Sequence, residues 1–129
     1  MTFFKHPMFL RRILEADALI SGATGLLMVA GAGGLEAMLG VPAALLRYAG
    51  LALFPFAAAV LFLARRGTPP RRGIAAVVLA NALWVAGSVF LLVTNVVVPT
   101  MLGTAFIAVQ ALAVAAFAEM QYMGLRVLR

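Results

Sequence analysis

Nine of the ten basic residues of this chain gather at alternate breaks in a pattern of four apolar runs, and that asymmetry constrains the fold more than anything else in it. Lys5, Arg11 and Arg12 precede the first run. Arg65, Arg66, Arg71 and Arg72 fill the stretch between the second and third, and Arg126 and Arg129 follow the fourth. The other two connections carry one charge between them, Glu36. Short loops rich in Lys and Arg stay on the cytoplasmic side during insertion. The expectation is therefore an all-α polytopic membrane protein of four transmembrane helices, with N and C termini cytoplasmic.

Composition agrees. The chain is 65% hydrophobic and 11% charged, with a mean hydropathy of +1.11. Soluble domains average about 45–50% apolar and about 25% charged residues. A bilayer-spanning helix takes about 20 mostly apolar residues, and four such spans are predicted: Ile13–Gly34, Pro42–Ala64, Gly73–Thr94 and Met101–Gly124. They make residues 13–124 a single transmembrane bundle and leave no length for a soluble domain. Residues 1–12, in which Phe and Met alternate with Lys5, Arg11 and Arg12, suit the headgroup boundary. A short interfacial helix is expected after Pro7, and residues 125–129 form a basic tail. Glu15 and Asp17 at the head of the first run argue against a cleaved signal peptide and for an uncleaved first helix.

The net charge of +6 and pI near 11.5 need no nucleic-acid partner, because the basic residues lie where insertion puts them. Near the surface each is worth about 1 kcal/mol against anionic headgroups. The expected partners are membrane lipids, together with a second copy of the chain or another membrane protein. Cysteine is absent and the single histidine, His6, lies outside the spans, so neither a cofactor nor a metal is expected. The bias toward Ala, Gly and Arg, with nine Arg to one Lys, fits a GC-rich bacterial genome and hence a bacterial inner membrane.

The two halves resemble one another. Ala16-Asp17-Ala18-Leu19 aligns with Ala80-Asn81-Ala82-Leu83, placing Thr24 on Ser88, Leu39-Gly40 on Leu102-Gly103, Arg47 on Gln110 and Phe54 on Phe117. Two similar hairpins follow, related by an axis along the membrane normal. Connections at Leu35–Val41 and Asn95–Thr100 are expected to be short loops, and Pro55 should bend the second helix. Small residues that let backbones approach are Ala18/Gly22 and Ser21/Gly25 in the first helix and Ala82/Ala86 with Gly87 in the third.

Ionisable residues inside a membrane mark candidate sites because they are costly there. Asp17 and Glu119 lie about 6 Å inside the cytoplasmic boundary, at the level of Asn81, taking 1.5 Å per residue. Arg47 lies about 7 Å inside the opposite one, level with Gln110. Asp17, Ser21 and Thr24 share one helical stripe, as do Asn81 and Ser88, with Trp84 beside it. Turning both stripes inward puts Asp17 near Asn81 and Thr24 near Ser88. Gln110 and Glu119 are nine residues apart and face opposite ways. Asp17 then reads either as a structural tie, accepting from Asn81 and Ser21, or as a carboxylate that carries protons. Arg47 reads as a snorkelling side chain, a lipid-phosphate contact or a partner of Glu36. Glu119 reads as interfacial.

No phosphate loop, metal-hydrolase motif or nucleophile–histidine arrangement is present, so an enzyme would have to work with carboxylates and Arg47. The leading expectation is a non-enzymatic integral membrane module that packs against another membrane protein or holds a lipid or lipophilic ligand. Behind it stand a homo-oligomeric small-solute carrier or channel using Asp17, and then a small membrane enzyme acting on a lipophilic substrate. The candidate ligand or ion residues are Asp17, Asn81, Arg47, Glu119, Gln110, Thr24 and Ser88.

Overall fold

A hydrocarbon environment offers the backbone no hydrogen bonds, so a chain crossing it must satisfy its own N–H and C=O groups. The computed structural model describes residues 8–66 and 69–127 and does this entirely with helices: α1 (Phe9–Ala30), α2 (Ala32–Leu39), α3 (Ala43–Arg65), α4 (Arg71–Val93) and α5 (Met101–Val127). Four of them, with 22, 23, 23 and 27 residues, are long and apolar enough to cross a bilayer. The protein is a multi-pass membrane protein.

Three boundaries differ from expectation. The helix carrying the first span starts at Phe9 rather than Ile13 and bends at Gly31. Most of the expected Leu35–Val41 loop is helical, as the second half of α2. The bend keeps its backbone bonds, Gly31 N–H to the Leu27 carbonyl and Leu35 N–H to the Gly31 carbonyl, both 2.8 Å. The turn itself comes later, at Gly40, whose φ of 71° is a left-handed conformation that glycine adopts without the Cβ penalty. At the other end of the chain α5 runs to Val127, so the expected basic tail is largely its last turn. Residues 128–129 lie outside the described residues, as do residues 1–7 of the expected interfacial segment. The part of that segment described, from Phe9 on, is the first turn of α1. Pro55 lies within an uninterrupted α3.

α1 packs most extensively on α3, and α4 on α5. The first pair is closest at Gly25 and Gly50, where a Cβ on either residue would stand 2.9 Å from the other's carbonyl oxygen. Without a hydrophobic drive between helices in lipid, such contact is what the association rests on. The small residues Ala82, Ala86 and Gly87 of α4 do not serve this purpose. They are exposed, and nothing lies within 4 Å of where a Gly87 Cβ would be.

The two pairs meet at their ends. At the end bearing the termini, Leu10, Leu14, Val60, Ala64, Ile74, Val77 and Leu125 form an apolar plug, and Arg71 Nη1 donates to the Leu125 carbonyl at 2.8 Å. At the opposite end Met28, Ala32, Leu39, Val41, Leu46, Leu53 and Ile107 form a second. There Thr100 ties the pairs together. Its N–H donates to the Leu39 carbonyl (2.9 Å) and its hydroxyl to the Met38 carbonyl (2.8 Å), while the same hydroxyl accepts from Gly103 N–H (3.1 Å) at the start of α5. One threonine thus satisfies the last carbonyls of α2 and caps α5. Away from the plugs α3 and α4 touch little. Leu19, Leu26, Leu79, Leu83, Val109 and Leu112 face outward, more than half exposed, whereas Asp17, Asn81 and Gln121 are buried. Polar inside and apolar outside is the arrangement a bilayer demands.

Candidate functional site

The site starts with a carboxylate. Asp17, in the third turn of α1, is 2% exposed. Its Oδ1 accepts from Ser21 Oγ, one turn on, at 3.0 Å. Its Oδ2 accepts from Asn81 Nδ2 of α4 at 2.9 Å and from Gln121 Nε2 of α5 at 2.7 Å. Asn81 spends its second amide proton on Gln121 Oε1, also at 2.9 Å. Asp17, Asn81 and Gln121 form a closed triangle across three helices, fixed by directed bonds where the surroundings supply only dispersion.

A second polar group lies one or two turns further from the termini. Trp84 Nε1 donates to Gln110 Oε1 at 2.6 Å, and Gln110 Nε2 donates to Ser88 Oγ at 2.9 Å and to the Ile107 carbonyl at 2.8 Å. Ser88 Oγ in turn donates to the Trp84 carbonyl at 2.9 Å. This cluster joins α4 to α5 alone.

Both clusters border space between the helix pairs. One cleft of about 230 Å³ is walled by Asp17, Ser21, Asn81, Phe56 and Phe117, among others. Another, of about 340 Å³, continues toward the opposite end between Met28, Leu45, Leu46, Leu91 and Phe106. Thr24, Trp84 and Gln110 belong to both walls. Apart from these polar groups the lining is Ala, Gly, Val, Leu, Ile, Phe and Met. Several lining residues, Ile20, Ala52, Leu83, Gly87 and Ala113, are themselves exposed, so the clefts open through the side of the bundle, while the two plugs close its ends.

The predicted site residues divide accordingly. Asp17 and Asn81 meet directly. Thr24 and Ser88 face the same cleft without bonding to each other, Ser88 having turned to Trp84 and Gln110. Gln110 joins the second cluster with Trp84 and Ser88. Arg47 and Glu119 are exposed and take no part in either wall. Gln121, 0% exposed, is the residue that sequence reasoning missed. It lies eleven residues after Gln110, close to three full helical turns, and so on the same stripe. That register was the signal available. Among the described residues no group of three His, Cys, Asp or Glu side chains gathers to hold a metal ion. Comparison with known proteins adds no identity: no family model, no curated protein and no solved structure matches this chain.

Proposed function

We propose that this protein is a non-enzymatic module of a bacterial inner membrane that takes a lipophilic molecule from the bilayer into the clefts between two similar hairpins, with both termini in the cytoplasm. One observation carries the reading. Asp17, Ser21, Thr24, Asn81, Trp84 and Gln110 border an otherwise apolar cleft that is plugged at both ends and open at the side. A pore for a hydrated solute needs polar lining that continues to both mouths. Here the polar groups stop at Trp84, Ser88 and Gln110, and the outer cleft is walled by Met28, Leu45, Leu46, Leu91 and Phe106. Ligand sites of this kind are concave, mostly apolar and oriented by a few polar groups. A homo-oligomeric carrier is the second reading, favoured by the Asp17–Ser21 contact. The hydroxyl donates to Oδ1 as found, and by turning its own hydrogen toward a backbone carbonyl it can instead accept a hydrogen bond from an Oδ1 that carries a proton.

Trp84 is the only tryptophan in the chain and lies in both cleft walls, so its fluorescence reports occupancy. A neutral brominated alkylbenzene added to the detergent-solubilised protein is expected to quench it saturably. Gly87→Leu grows a side chain in open space beside the outer cleft, where nothing lies within 4 Å, and is expected to weaken the quenching without disturbing the fold. Quenching that rises linearly and equally in both proteins means only partition into the micelle, and overturns the reading.

A further inference from the structure

Most hydrogen-bond donors that line the clefts are already engaged within the protein. Asn81 commits both amide protons, to Asp17 and Gln121. Gln110 commits both of its own, to Ser88 and the Ile107 carbonyl. The indole N–H of Trp84 goes to Gln110, the Ser21 hydroxyl to Asp17 and the Ser88 hydroxyl to the Trp84 carbonyl. Among the described lining residues, Thr24 alone keeps a side-chain donor that is not bonded to another group of the protein. A carbonyl, carboxylate or phosphate on a ligand would find almost nothing to accept from.

Acceptor capacity is the reverse. A carboxylate offers about four lone-pair sites, and Asp17 receives three hydrogen bonds, all from neutral donors. Among the described residues no cationic side chain reaches it. Arg65, Arg66, Arg72 and Arg126 are exposed at the end of the bundle, and Arg71 bonds to the Leu125 carbonyl. The cleft wall beside Asp17 carries three aromatic side chains, Phe56, Trp84 and Phe117. A buried carboxylate with no counter-charge among the described residues, spent donors and aromatic walls select positive charge on an apolar body.

We propose that the lipophilic molecule bound in the inter-hairpin cleft is a cation, with Asp17 as its counter-charge and Phe56, Trp84 and Phe117 around its apolar groups. This rests on the lipophile-binding reading above and names the class of ligand. The overall charge of +6 repels cations from the molecule as a whole, so a preference for them has to arise locally.

The test compares tetraphenylphosphonium with tetraphenylborate, near-equal in shape and opposite in charge, on the wild-type protein in non-ionic detergent. Binding is read by equilibrium dialysis and corrected for protein-free micelles. The phosphonium is expected to bind at least about tenfold more tightly, the scale of one charge pair several ångströms apart in a medium of intermediate dielectric. In Asp17→Asn, which keeps a carbonyl acceptor for Asn81 and Gln121, that ratio is expected to fall to near one. Equal binding of the two ions by the wild type, or a ratio unchanged in Asp17→Asn, overturns the proposal. The wild-type comparison stands even if the variant does not fold. Saturable quenching of Trp84 by the neutral alkylbenzene separates the two failures. With it intact and no charge preference, only the cation assignment falls. If it too is missing, the lipophile-binding reading falls first.

Discussion

Replacing Gln121 by leucine probes the polar triangle at the corner the sequence disclosed least. The change removes two hydrogen bonds, Gln121 Nε2 to Asp17 Oδ2 at 2.7 Å and Asn81 Nδ2 to Gln121 Oε1 at 2.9 Å. It also leaves one proton of buried Asn81 without its acceptor. A neutral side-chain bond within a membrane averages about 0.6 kcal/mol, and one to a charged group is worth about 1.5–3 kcal/mol. The gain from the more apolar leucine is small, because Gln121 sits against protein and not lipid. The expected loss is about 2–3 kcal/mol. Unfolding in mixed micelles with increasing sodium dodecyl sulfate, followed by circular dichroism, measures it. The cycle with Asp17→Leu is the sharper form. Both changes remove the same Gln121–Asp17 bond, so the double variant should lose about 1–2 kcal/mol less than the sum of the singles. Losses below about 0.5 kcal/mol in Gln121→Leu, or strict additivity with Asp17→Leu, would refute a shared network.

Three further outcomes are expected. Gly103→Ala places a Cβ on the Leu39 carbonyl oxygen where α5 meets α2, and should cost several kcal/mol in the same unfolding assay, against about 1–3 kcal/mol for Gly25→Ala, whose Cβ would lie 2.9 Å from the Gly50 carbonyl oxygen and 3.1 Å from the Leu53 Cβ. Reporter fusions after Arg66 should read as cytoplasmic and fusions after Glu36 as external, and replacing Arg65, Arg66, Arg71 and Arg72 by neutral residues should produce a mixed orientation. Arg47→Gln should lower the occupancy of anionic phospholipid seen by native mass spectrometry while Glu36→Gln leaves it unchanged, since both side chains are exposed and Arg47 is free to hold a headgroup.

What could be read from the sequence follows from what a bilayer amplifies. Four spans were legible because hydrocarbon thickness sets a length that apolar runs either reach or miss. Asp17 and Asn81 stood out because polar side chains are rare in such runs, and helical stripes were enough to bring them together. Gln121 stands out less, because the apolar run Met101–Gly124 leaves it close to the boundary, where polar side chains are ordinary. With α5 continuing to Val127 it lies a turn deeper, while Glu119, the charged residue that drew attention, faces away. α2 falls partly in the expected span, which ends at Gly34, and partly in the expected loop Leu35–Val41. Its helix depends on tertiary partners, the Thr100 bonds to its last carbonyls and the contact of Leu39 with Gly103, which no local pattern reveals. The outward direction of Ala82, Ala86 and Gly87 was equally hidden. Small residues are suited to close packing, and only the position of the neighbouring helices decides whether it occurs.

The decisive measurement places Trp84 in a bilayer between two kinds of quencher. Reconstituted into liposomes, the protein is exposed to phospholipids brominated at mid-chain and, separately, to aqueous iodide and acrylamide. A cleft plugged at both ends and open at its side gives strong quenching by the mid-chain bromines and little by the aqueous quenchers, and the lipid quenching decreases in Gly87→Leu. Strong quenching by iodide and acrylamide with weak quenching by the brominated lipid would place Trp84 on a water-filled path, and would contradict a lipophile-binding cleft in favour of a carrier.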